Sequence, residues 1–138
     1  MLNELIADSD RRSAFAACGA WLRPGGILLA DVCDWEATAA RYANEPRHEH
    51  SACQHGRTLV FSSETTLDTS RRVMRVREHD VGTLDGVPVD DRYEFAMRCW
   101  TGGELRKQIA AAGFTSLQLR PGSEAGIAAD RIVVIARR

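Results

Sequence analysis

The chain has 138 residues, 44% of them hydrophobic and 27% charged, with a net charge of −1. That length suits one domain with a real core, and the balance of residue types excludes a disordered chain. With 18 basic residues interleaved among 19 acidic ones, there is no field to draw in nucleic acid or an anionic membrane.

The first segment, MLNELIADSD, has no basic start and no apolar signal core. No uncharged apolar stretch approaches the length of a membrane span, so a cytoplasmic protein is expected. Residues 8–23, DSDRRSAFAACGAWLR, predict an amphipathic helix with Phe15, Cys18 and Leu22 on one face. Asp8 or Ser9 is placed to cap it, and Asp10 suits the positive end of its dipole. Pro24, Gly25 and Gly26 end it, since proline cannot continue a helix and glycine permits a sharp reversal.

Residues 27–32 form a near-continuous apolar run, the pattern of an interior strand covered on both faces, as in a parallel sheet. Residues 34–43 suit a short helix, and 44–57 read as polar and irregular. TLVFS (58–62), VMRVREH (73–79) and RYEFAMRCW (92–100) then predict strands, separated by the turn-rich LDTSR and LDGVPVDD. Tyr93, Phe95 and Met97 alternate with Arg92, Glu94 and Arg98, which predicts an antiparallel sheet with one buried face and one wet face.

Helical periodicity returns at Thr101, which with Glu104 makes a T-x-x-E capping box. Leu105, Ile109 and Ala112 face the core, and Gly113 is placed as a left-handed C-cap. Strands at 116–120 and 131–136 close the chain. One domain in three parts is expected: 1–43, an antiparallel insertion at 44–100, and 101–138. An apolar interior strand with no strand pattern ahead of it predicts the middle of a larger α/β fold.

Three stretches carry a resemblance to a known family. LNELIADSDRRSAFAACGAWLRPGGILLADV, RCWTGGELRKQIAAAGFTSLQL and ADRIVVIARR together resemble the C-terminal half of a class I S-adenosylmethionine-dependent methyltransferase. The closest likeness is to the small-molecule type with an antiparallel insertion over the active site. The resemblance implies a partial Rossmann-like sheet whose cofactor-binding strands are absent. The family's glycine-rich loop would lie upstream of Met1, and the chain contains no G-x-G-x-G.

By that resemblance the rim after strand 27–32 faces a small-molecule substrate. Methyl transfer needs alignment of a nucleophile and, where necessary, removal of a proton. Asp31 is the candidate base, against a structural role of equal weight. Trp35, Arg41, Tyr42, Arg98 and Trp100 are candidates for substrate binding, and Asn3 and Glu4 for contact with S-adenosylmethionine. The plainer alternatives are a capping role for Asp34, packing for Trp35, and an ion pair with Glu94 or a neighbouring strand for Arg98.

His48, His50, Cys53 and His55 are metal-competent but match no recognised spacing, so no metal is expected. The four cysteines, at 18, 33, 53 and 99, show no paired spacing and are expected as free thiols. The partners expected are a small-molecule substrate and, along the bare strand 27–32, either a complementing N-terminal half or a second copy. The alternative function is a non-catalytic, Rossmann-derived dimerisation module.

Overall fold

The computed structural model describes residues 2–54 and 57–138. A single 3₁₀ turn at Leu2–Glu4 precedes helix α1 (Asp8–Trp21), strand β1 (Ile27–Cys33) and helix α2 (Trp35–Asn44). Four strands follow: β2 (Arg47–Gln54), β3 (Arg57–Asp68), β4 (Val73–Leu84) and β5 (Val87–Arg98). Helix α3 (Gly102–Ala111), strand β6 (Ser116–Pro121) and strand β7 (Arg131–Arg137) complete the chain. The expected order of elements holds except that β2 occupies part of the stretch expected to be irregular. No helix among the described residues is long and apolar enough to cross a membrane.

The strands form two sheets, β1-β7-β6 and β2-β3-β4-β5. Every ladder is antiparallel. In the three-stranded sheet, pairing sets Leu28, Ala30 and Val32 opposite Ala136, Val134 and Ile132. This apolar face receives Phe15 of α1 with Leu105 and Ile109 of α3, and the core lies there. The two helices approach closely at Gly19, where a Cβ would run into the backbone carbonyl of Ala112. The capping box of α3 is complete: Glu104 N–H donates to Thr101 Oγ1 and Thr101 N–H to Glu104 Oε2, each at 3.1 Å. Gly113 takes the expected left-handed conformation, with φ +83°.

Other expectations need correction. Strand β1 lies antiparallel to β7, and one of its faces is open except at its carboxyl end, where Cys33 is buried. Ile27 and Leu29, on that face, are 53% and 70% exposed. An unbroken apolar run cannot show in sequence which face is open. Helix α1 has Ala7 at its N-cap position with no side-chain cap. The Asp8 carboxylate instead accepts a 2.5 Å hydrogen bond from Arg98.

Segment 44–57 is not irregular, since residues 47–54 run as β2 beside β3, from Arg47 opposite Glu64 onward. An edge strand wetted on both sides carries no apolar alternation, so its sequence looks like a loop. Within LDGVPVDD only Asp85 and Gly86 make the turn, with φ of 53° and 81°, and Val87 onward belongs to β5. The apolar stripe of β5 is only partly covered: Tyr93 and Phe95 remain 53% and 36% exposed.

Candidate functional site

The carboxyl end of β1 gathers four elements. Trp100 N–H donates to Cys33 O at 2.8 Å, and Trp35 N–H donates to Trp100 O at 2.9 Å. These bonds accompany a parallel bridge between Asp34 and Trp100. Asp34 N–H donates to Asp130 O at 2.9 Å, tying in the loop before β7. Asn3, almost fully buried, accepts a 3.0 Å hydrogen bond from Cys33 N–H. The rim is therefore a junction where the chain enters α2, leaves β5 and returns to β7.

Around this junction Cys33, Met74, Val76 and Cys99 form a small buried cluster, with Trp35, Tyr42, Leu67 and Met97 packed against it. Two predicted substrate residues, Trp35 and Tyr42, thus share one apolar wall with the inner side of the four-stranded sheet. The Arg41 guanidinium sits 5.2 Å from the centre of the Tyr42 ring and pairs with Asp130 at 2.7 Å. That partner's hydrogen bond raises the Arg41 pKa further. Asp34 occupies the N-cap position of α2 but makes no side-chain capping bond.

Asp31 does not stand at the rim as an open base. It lies two residues back on the exposed face, where Arg131 Nε and NH2 both donate to its Oδ2, the former at 2.8 Å. The third nitrogen of that guanidinium, NH1, donates to Cys33 Sγ at 3.1 Å. Asn3 is likewise committed to holding β1, and Glu4 lies exposed on the opening 3₁₀ turn.

Trp100 and Arg98 lie in the interior and its ion pairs rather than open at the rim. Trp100 is 1% exposed, packed edge-on against Phe15 and covered by Arg11, whose guanidinium carbon is 3.2 Å from the ring centre. Arg98 spends its guanidinium on Asp8, the carbonyl of Ile6 and Glu104. Its expected partner Glu94 faces Arg77 instead, at 3.5 Å. Glu104 is the hub: Arg72 reaches it at 2.5 Å, Arg98 at 3.4 Å and Arg11 at 3.9 Å. Burial, reinforced by the neighbouring Arg98 charge, pushes the Arg11 pKa down to about 10. Arg11 lies four residues before Phe15, so its place on the buried face of α1 was readable from the helical period.

A concavity of about 610 Å³ lies elsewhere, against the outer face of the four-stranded sheet. Arg47 pairs there with Glu64 at 3.0 Å, Arg77 with Glu94, and His79 with Asp90 at 2.7 Å. Such a ladder of mutually satisfied charges is a solvated face. The rim, with its converging backbone and aromatic wall, is the better candidate site. His48 and His50 lie exposed on β2, whereas the Cys53 side chain and His55 fall outside the described residues. No metal-competent cluster of three occurs among the described residues.

No protein-family model matches the chain, and no curated protein matches it. Solved structures do. An S-adenosylmethionine-dependent methyltransferase from Clostridium acetobutylicum superposes with a TM-score of 0.77 at 12% identity, covering 99% of this chain and 54% of that one. CalS10, an amino pentose methyltransferase from Micromonospora echinaspora solved with S-adenosylmethionine bound, gives 0.74 at 22% identity, with coverages of 99% and 54%. The sugar N-methyltransferase KedS8 from a Streptoalloteichus species gives 0.79 at 16% identity, with coverages of 99% and 52%.

The chain has the fold of about half of an S-adenosylmethionine-dependent methyltransferase. It spans about half the length of each of these solved structures. The residues present do not by themselves fit the cofactor. The Gly25–Gly26 turn lies at the opposite end of β1 from the rim, bonded to Arg138, and Asn3 is consumed by Cys33.

Proposed function

We propose that the chain is the C-terminal, substrate-side portion of an S-adenosylmethionine-dependent methyltransferase acting on a small molecule. Its three-stranded sheet is then part of a Rossmann-like sheet, and β2 to β5 are the insertion that flanks the substrate. Trp35 and Tyr42 line the substrate side, with Arg41 at its mouth. A complementary N-terminal portion supplies the cofactor loop and adds its strand along β1.

One observation carries this reading. The chain superposes on half of several methyltransferases, and the strand at its boundary is apolar, half-covered and paired on one edge only among the described residues. A free edge of this composition needs a neighbour. The same feature supports a second reading, in which two copies pair through β1 without catalysis.

Calorimetric titration with S-adenosylhomocysteine separates the two. The chain alone is expected to give no saturable heat. Mixed with a polypeptide carrying a β-strand followed by G-x-G-x-G, it is expected to bind saturably. No binding in the mixture, together with concentration-dependent dimers of the chain alone, would overturn the methyltransferase reading in favour of the second.

A further inference from the structure

Cys33 and Cys99 are distant in sequence, and both are free and buried. Cys33 ends β1, and Cys99 is the first residue after β5, where the insertion returns to the body. The parallel bridge between Asp34 and Trp100 makes them in-register neighbours one residue back. Adjacent strands run about 4.8 Å apart, inside the Cα separation of roughly 4.4–6.8 Å that a disulfide spans. In-register residues of a parallel pair point to the same side, and both sulfurs belong to one cluster with Met74 and Val76.

The surroundings treat the two sulfurs differently. Arg131 NH1 donates to Cys33 Sγ at 3.1 Å, while Nε and NH2 of the same guanidinium are held by Asp31. The carboxylate thus aims a fixed positive charge at one thiol of the pair. Hydrogen bonding from Cys99, helped by Arg131 and opposed by burial, lowers the Cys33 pKa to about 7. Cys99 moves the other way, because its proton is held by Cys33 and burial disfavours its thiolate. A low-pKa thiolate beside a protonated thiol gives the order of reactivity of an attacking and a resolving cysteine, here in a pair 5% and 0% exposed.

We propose that Cys33 and Cys99 form an oxidisable dithiol, in which Cys33 reacts with a hydroperoxide and Cys99 resolves the product to a disulfide. The Cys33 thiolate attacks one peroxide oxygen, breaking the O–O bond and giving a sulfenic acid and water (or an alcohol). The Cys99 sulfur then attacks the Cys33 sulfur, forming S–S and releasing a second water. Two thiols are oxidised by two electrons, and one peroxide is reduced. The disulfide ties the rim after β1 covalently to the point where the insertion rejoins α3. Asp31 acts in this as a positioning residue through Arg131.

The test uses the full chain with Cys18→Ser and Cys53→Ser, treated with hydrogen peroxide at pH 7. The expected result is loss of both remaining thiols, a mass decrease of about 2 Da and a linked Cys33–Cys99 peptide. In Cys99→Ser, Cys33 is expected to accumulate as a sulfenic acid trapped by dimedone. Arg131→Gln is expected to slow oxidation roughly tenfold, whereas Arg131→Lys restores much of the rate. Retention of both thiols, or crosslinks only between chains, overturns the proposal. Should Cys99→Ser fail to fold, the peptide map of the parent protein decides alone.

Discussion

The two sheets are stabilised differently. The β1-β7-β6 sheet carries α1 and α3 on one face, and there Phe15, Leu105, Ile109, Trp100 and Val134 are all at most 1% exposed. The four-stranded sheet has longer strands, yet among the described residues its buried apolar side chains, Val73, Met74 and Val76, gather at the start of β4, and its outer face is a ladder of opposite charges. Hydrophobic burial scales with area removed from water, whereas exposed ion pairs contribute little. The first sheet is therefore held by packing, and the outer reach of the four-stranded sheet by backbone ladders.

Trp100→Ala and Tyr93→Ala break this comparison most directly. Both delete an aromatic ring. Trp100 leaves a cavity between Phe15 and Arg11, which is expected to cost about 3–5 kcal/mol. Tyr93, half in water on β5, is expected to cost under about 1 kcal/mol. Urea unfolding followed by circular dichroism measures both. Equal losses would mean that the insertion is covered in a way this structure does not show.

Glu104 sharpens the comparison at the seam between the two regions. Its carboxylate closes the α3 capping box and faces Arg11, Arg72 and Arg98. Glu104→Ala opens the reciprocal half of the capping box, while Thr101 still accepts from the residue-104 amide, and leaves three guanidiniums without their shared anion, for an expected loss of about 2–3 kcal/mol. Burial alone would raise the Glu104 pKa, but the Thr101 amide and Arg72 outweigh it, and the net direction is downward. A carboxylate depressed in the folded state contributes stability above its unfolded pKa and loses it as pH falls through the folded one. Wild-type stability is therefore expected to drop on acidification below the ordinary glutamate range, and Glu104→Ala should flatten that drop.

Much of this was legible in the sequence, for reasons that differ by region. The α3 capping box, the Gly113 C-cap and the order of elements follow from local chemistry, and local chemistry is written in adjacent residues. The fate of Trp100 and Arg98 was hidden, since it depends on Arg11, Asp8 and Glu104 arriving from other elements. Asp31 ends an apolar strand and reads as a rim carboxylate, but its partner Arg131 lies 100 residues away. Strand β2 was missed because a strand wetted on both sides has no period to detect.

Leu29→Lys gives the smallest effect on folding and the sharpest statement about the open face. Leu29 is 70% exposed, so its removal deletes little buried area, and the change in unfolding free energy is expected to stay within about 0.5 kcal/mol. Ile27 shares the face, and β1 has no strand on its outer edge among the described residues. A charge there leaves the β7 ladder and the α1–α3 packing untouched, because Leu28, Ala30 and Val32 point the other way. Any complementing half or second copy that docks on β1 must, however, desolvate the lysine, which disfavours association. Sedimentation at rising concentration, and pull-down with a G-x-G-x-G partner, should both weaken in Leu29→Lys while the unfolding midpoint holds. A loss of several kcal/mol in unfolding free energy instead would show that the face is already covered within this chain.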